Sequence, residues 1–235
     1  MLERQLRLEL MDAPGLDPIE HQAALRGLRR INQVSGVSPR VWNAIRRIAR
    51  RRGLLEFSVL DVASGGGDLV TELAKRSRRA GVRVSFAGCD LSPTAVRLAN
   101  ESRNSSDDID FFVADAVNDP LPQRYDIVIS TLFLHHLDEA SSVQLLSNLR
   151  GAARHAVLLD DLERSHMGHW LAWAGCRVLT SSPVVHYDGP VSVLGAYTVE
   201  EARGLAVKSG LDGARITRHW PYRFLMEWER PDEQH

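Results

Sequence analysis

The chain contains only two cysteines, Cys89 and Cys176, and neither has a CxxC neighbour. A disulfide framework is excluded, and so is redox or zinc chemistry on paired thiols. Lysine is almost missing: Lys75 and Lys208 are the only two, so arginine fills 27 of the 29 basic positions. Genome composition is enough to explain that bias. A net charge of −1 provides no overall field able to hold nucleic acid or anionic lipid. One basic run, Arg46, Arg47, Arg50, Arg51 and Arg52, ends a helical stretch. There positive charge complements the helix dipole, and the run reads as a solvated helix end. RNP and zinc-knuckle features are absent, so no nucleic-acid partner is expected. The opening MLERQLRLELMD places charges every few positions and has no apolar core of signal-peptide length. The most apolar later stretch, from Met167 to Leu179, is broken by His169 and Arg177. It is too short for the ~20 residues of a membrane helix. A cytoplasmic protein without a membrane span is expected, with small molecules as its partners.

At 235 residues, 44% hydrophobic and 25% charged, the chain is long enough to bury a large core and has an ordinary globular composition. The first 56 residues have a helical pattern. Asp17-Pro18 offers a cap and a first residue, with Ile19, Ala23, Leu28 and Ile31 on one face. Ser38-Pro39 opens a second helix in the same way, with Val41, Ile45 and Ile48 inward and Gly53 past its end. From Phe57 short apolar runs alternate with helical stretches: FSVLDV, a glycine turn and a helix to about Ala80; VRVSFAGCD and a helix from Ser92-Pro93; IDFFVAD; YDIVIS and a helix from Glu139; HAVLLDD. This alternation predicts a parallel sheet with right-handed crossovers, buried on both faces. Residues 162–197 read as a helix followed by irregular chain, an insertion within one domain over 57–235. A last helix capped by Thr198 and Glu201 and two strands meeting at Pro221 complete the pattern.

The turn Asp61-Val62-Ala63-Ser64-Gly65-Gly66-Gly67 lies between a strand and a helix, where bare backbone and free N–H groups receive a ligand. Val70 stands where the third small residue of a dinucleotide fingerprint belongs, and no lysine is placed for a phosphate loop, so NAD and ATP are disfavoured. Asp90 ends the second strand 23 positions after Gly67, suited to ribose hydroxyls, and Asp115 ends the third. Three acids on the rim of one crevice suit a cationic nucleoside better than a polyphosphate.

The motifs VLDVASGGGDLV, FAGCDLSPTAVRLAN and FFVADAVNDPLPQRYDIVISTLFLHHL, with the late helix and strand pair, resemble the class I S-adenosylmethionine-dependent methyltransferases over about residues 57–230. VLDVASGGGDL is similar to the turn of quinone-biosynthesis methyltransferases, and LHHL to enzymes acting on phenols, quinones, polyketides and sugars. The resemblance implies a Rossmann-like, seven-stranded, mostly parallel sheet in the order 3-2-1-4-5-7-6, with residues 1–56 as an N-terminal helical cap. S-adenosyl-L-methionine (SAM) would be the cofactor and S-adenosyl-L-homocysteine (SAH) its product. Asp61 would orient the methionine amino end, and Ala63, Ser64, Gly65 and Gly67 would border the methionyl and ribose parts. Asp90 would take the ribose hydroxyls and Leu91 the adenine face. Asp115 and the Ala116 N–H would meet the adenine edge, and Ser130, Thr131 and Leu132 would line the methionine side. Ala63 departs from the glycine of many members; a methyl group there is tolerated if the backbone is not at positive φ.

For the reaction the implied acceptor is the hydroxyl of a phenolic, quinone or polyketide compound, with transfer to a ring carbon as the alternative and a non-catalytic cofactor-binding protein as the rival. His135 is the candidate base, His136 its support and Asp161 a group that polarises a histidine or holds a hydroxyl. Consecutive side chains near a strand end point apart, so one histidine at most is expected to face the acceptor. His166, Trp170, His186 and Tyr197 are candidates to line the acceptor pocket, while Arg164 reads as a surface charge. His166 and His169 have a metal-ligand spacing but no acid or cysteine at a matching interval, so no metal is expected. A monomer or homodimer is expected.

Overall fold

The computed structural model describes residues 2–12, 15–103 and 108–232. Its helices are α1 (Pro18–Ser35), α2 (Val37–Arg51), α3 (Asp68–Arg79), α4 (Pro93–Ser102), α5 (Glu139–Ala152), α6 (His166–Leu179), α7 (Pro183–Gly195) and α8 (Val199–Lys208). Its strands are β1 (Glu56–Val62), β2 (Arg83–Asp90), β3 (Ile109–Val113), β4 (Tyr125–Thr131), β5 (Ala153–Leu162), β6 (Arg215–His219) and β7 (Arg223–Glu229). The strands form one seven-stranded sheet in the order β3-β2-β1-β4-β5-β7-β6. β3, β2, β1, β4 and β5 are parallel, and β7 and β6 add antiparallel to the edge. All five parallel strands therefore end on the same side, and strand order reverses between β1 and β4, which opens a crevice there.

Side chains alternate across the sheet. Val59, Ile127, Ile129 and Leu158 pack with Val41, Ile45 and Ile48 of α2, while Leu60, Val62, Val128 and Leu159 pack with Leu145 and Leu149 of α5 and Leu205 of α8. Each such leucine or isoleucine contributes roughly 1.5–3 kcal/mol on full burial. Thus α2 shares the core of the sheet. By contrast, Ala24, Leu28 and Ile31 of α1 pack with Cys176 of α6 and Val184 and Val185 of α7.

Several local expectations are corrected. Ile19 is 75% exposed, and the buried face of α1 is carried by Ala24 and Gly27. Gly36, at φ +66, ends α1 and begins α2, and Ser38 accepts from Arg76 Nε instead of capping. Residues 183–195 are a helix, not irregular chain, although Gly189 and Pro190 lie inside it. The glycine lets α7 approach α6, since a Cβ there would fall 2.3 Å from Cys176 Sγ. Nor is the arginine run freely solvated: Arg47 pairs with Glu227, Arg51 with Glu229 and Arg52 with Asp232, tying α2 to β7 and the residues after it.

Arg164 is not a surface charge. It is buried, with Nη1 donating to the Ala196 carbonyl, Nε to the Leu2 carbonyl and Nη2 to the Glu201 carboxylate. With Arg4, whose guanidinium donates to the Gly195 and Leu137 carbonyls, it straps residues 2–12 across α7. Leu10 and Met11 N–H groups, donated to the Asp188 carboxylate, hold the other end of the strap.

Candidate active site

Asp61, Asp90, Asp115 and Ser130 to Leu132 all lie at or just beyond the C-terminal ends of the parallel strands, beside the β1–β4 switch. Between β1 and α3 the chain turns through Ala63 (φ +58), Gly65 (φ +52) and Gly67 (φ +74). The left-handed conformation at Ala63 does not meet the condition set from sequence: a methyl group is held where glycine costs least. Gly67 is irreplaceable on a second count, because a Cβ would meet Phe111 at 2.5 Å. Gly65 and Gly66 face open space instead.

The carboxylate of Asp90 accepts the Gly65 N–H at 2.8 Å through one oxygen and the Ser92 N–H at 2.9 Å through the other. It shapes the turn and keeps lone pairs for further donors. Asp61 is 2% exposed, and its Oδ1 has no hydrogen-bond partner. Burial, and then the charge of Asp90, push its carboxyl well above the usual carboxylate range. The Ser64 hydroxyl is buried without a partner as well. A cationic, hydrogen-bonding ligand would satisfy both orphans. Asp115 accepts from the Val117 and Asn118 N–H groups and from Asn118 Nδ2, which caps its turn and holds its pKa low. Ser130 spends its hydroxyl on the Val62 carbonyl, and Leu132 adopts φ +55 with its N–H on the Asp160 carbonyl.

Beyond Leu132 a 3-10 turn over Leu134–His136 carries the histidines. His135 is 5% exposed, with Nδ1 2.6 Å from Asp161 Oδ1. Burial opposes the imidazolium, but the charge and hydrogen bond of Asp161, helped by Glu9, outweigh it and raise the His135 pKa. Asp161 is lowered in turn: burial works against the carboxylate, and His135, the Leu162 N–H and Arg223 overcome it. The two histidine rings lie 4.2 Å apart and both border one cavity. This corrects the expectation that they diverge, because the turn replaces strand geometry with a tight helical one. Loss of hydration and the neighbouring His135 bring His136 down to about 4.

Residues 59–155 match the methyltransferase domain family. No curated protein sequence matches the chain. Among solved structures, the plantazolicin methyltransferase BamL in complex with a triazolic desmethylPZN analog and SAH is 18% identical, at a TM-score of 0.65 over 85% of this chain and 71% of that one. Magnesium protoporphyrin IX methyltransferase (ChlM) from Synechocystis PCC 6803, with bound SAH, is 16% identical, at a TM-score of 0.56 over 94% and 91%. An O-methyltransferase family 2 protein from Planctomyces limnophilus DSM 3776, in complex with apigenin, is 18% identical at a TM-score of 0.62, over 93% of this chain and 63% of that one. Residues 59–155 thus match a methyltransferase domain, and the chain shares the fold of these methyltransferases. The unsatisfied Asp61 and Ser64 groups fit the cationic methionine end of SAM, the methyl donor whose product SAH is bound in the first two of these structures.

The cavity beside the histidines measures about 240 Å³ and is roofed by the N-terminal strap, with Leu6, Leu8 and Glu9 on one side and His135, His136 and Val191 on the other. None of the four expected acceptor-pocket residues borders it. Tyr197 is absorbed by the fold: its hydroxyl bonds Ser142 and the Leu137 carbonyl beneath the Arg4 guanidinium. His186 reaches the Thr180 carbonyl through Nε2. His166 and Trp170 are exposed on α6. Sequence reading missed Glu9, whose Oε1 lies 3.8 Å from His135 Nε2, and Ser192, whose hydroxyl donates to Glu9. No local spacing joins residue 9 to residue 135, so only the course of the strap reveals them. Among the described residues, no helix is long and apolar enough to cross a membrane.

Proposed function

We propose that this methyltransferase transfers a methyl group to the hydroxyl of a small phenolic, quinone or polyketide-type acceptor, bound under the N-terminal strap. The observation that carries the reading is the 2.6 Å contact between His135 Nδ1 and Asp161 beside a cavity of about 240 Å³. A cavity of roughly 150 Å³ takes up benzene, so this space suits a compact ring. Its walls are apolar at Leu6 and Val191 and polar at Arg7, Glu9 and the two histidines.

SAM supplies a methyl group made electrophilic by its sulfonium. Asp61 holds the methionine amino group, Ala63, Ser64, Gly65 and Gly67 frame the methionyl and ribose parts, and Asp90 accepts from the ribose. Asp115, with one lone pair left on Oδ2, and the Ala116 N–H meet the adenine edge, and Leu91, exposed beside them, covers its face. Ser130, Thr131 and Leu132 close the methionine side and lead directly to the histidine turn. There Asp161 fixes His135 with its proton on Nδ1, so Nε2 takes the acceptor proton as the methyl arrives. His136 packs tilted against that ring, and the strap roofs the cavity.

Incubation with labelled SAM and a panel of phenols and hydroxyquinones tests the proposal. Label on an acceptor oxygen, lost in His135→Ala while SAH binding is kept, supports it. Label on carbon, or unaltered turnover in His135→Ala, defeats it.

A further inference from the structure

We propose that Glu9, His135 and His136 form a binding site for one divalent transition-metal cation of the zinc type. Their three ligand atoms lie within 4.8 Å of one another, and Glu9 Oε1 stands 3.8 Å and 4.0 Å from the two Nε2 atoms. Ligands at about 2.0–2.1 Å from zinc in a tetrahedron are roughly 3.4 Å apart, so Glu9 needs to close by about half an ångström on each histidine, and the two imidazole nitrogens, within 4.8 Å of each other, by up to about 1.4 Å. Glu9 lies on the strap and His136 on a partly exposed turn, where such a shift is small.

The surroundings are those of a metal site in two further respects. Asp161, at 2.6 Å from His135 Nδ1, sets the carboxylate–histidine pair that directs the Nε2 lone pair outward. The Ser192 hydroxyl donates to Glu9 Oε1 and holds that oxygen toward the histidines. Two imidazoles and one carboxylate select zinc, cobalt or nickel over magnesium or calcium, which prefer all-oxygen shells. The cavity leaves the fourth position to water. None of this depends on the His166/His169 spacing; the three ligands meet only because the strap crosses the histidine turn.

The site has one consequence for the reaction proposed above and rests on that reading for it. His135 Nε2 has a single lone pair, so it takes either the cation or the acceptor proton. Zinc is therefore an inhibitor that a chelator removes.

The binding test needs neither methyl donor nor acceptor. Purified chain, stripped of metal, is titrated with Co²⁺ and with Zn²⁺, following cobalt absorption and the bound metal per chain. One equivalent with a visible cobalt band, weakened at least tenfold in both Glu9→Gln and His136→Gln, supports the site; both variants are checked for unchanged thermal melting. Binding that is as tight in the triple variant Glu9→Gln/His135→Gln/His136→Gln, or less than one equivalent in the parent chain, overturns it. Zinc bound without methyl transfer to any acceptor would sink the proposed reaction and leave the site standing. Methyl transfer unaffected by saturating zinc would remove the inhibitory consequence.

Discussion

His135 and Asp161, 26 positions apart in the chain, meet at 2.6 Å inside the protein, one on a turn after β4 and the other on β5. The contact raises the histidine pKa above 6.5 and lowers that of the aspartate. A base works only when deprotonated. The acidic limb of kcat/KM is therefore expected above the ordinary histidine value, with activity rising as pH passes through the raised pKa. Asp161→Asn removes the charge, moves that limb down and lowers kcat by roughly 10²–10⁴, the range for general-base catalysis. A pH profile of both proteins checks it; superimposable profiles contradict it.

Ala63 and Gly67 hold the same left-handed backbone for different reasons, and their substitutions go opposite ways. Ala63→Gly relieves a conformation that costs an L-residue roughly 1–2 kcal/mol, part of which glycine returns as chain entropy. A gain near 1 kcal/mol, or about 2–4 °C in Tm for a chain of this size, is expected. Gly67→Ala adds backbone strain and a clash with Phe111, for a loss of roughly 2–4 kcal/mol. Thermal melting of the two variants reads the contrast.

Arg164 joins the strap to the body of the protein through the Leu2 carbonyl, the Ala196 carbonyl and Glu201. Arg164→Ala leaves buried acceptors unpaired, at about 1–3 kcal/mol, and frees the strap that carries Glu9. Limited proteolysis is expected to cut within residues 2–12 sooner in the variant than in the parent, with the pKa of His135 shifted down as Glu9 departs. Equal protection of the strap would show that Arg4 and Asp188 hold it alone.

Much of this was legible in the residues. The runs FSVLDV, YDIVIS and HAVLLDD are continuously apolar because both faces of the sheet are covered, and Asp61 and Asp90 end strands where a crevice must form. What stayed hidden depends on contacts between distant segments. Gly189 and Pro190 look like a turn, yet the glycine is needed by Cys176 and the helix continues through the proline. Arg164 looks like a surface charge until the strap covers it. Glu9 is one acid among several in MLERQLRLELMD, and nothing nearby marks it as the neighbour of His135. The conformation of Ala63 is likewise set by the turn, against the preference of its own side chain.

A cationic methionine end is expected to complete the buried Asp61 carboxylate. Asp61 is raised well above its ordinary value by burial and by Asp90, and the cation favours its ionised form. Affinity is therefore expected to increase as pH rises through the raised pKa. Isothermal calorimetry of SAM and SAH against the parent chain and Asp61→Asn, from acidic to neutral pH, where the methionine amine stays protonated, tests this directly. One site per chain is expected, tighter as pH rises toward neutrality, with a loss in Asp61→Asn of at least tenfold, about 1.4 kcal/mol, and with that pH dependence gone. No heat from either compound in the parent chain, or equal affinities in the two proteins, would contradict it.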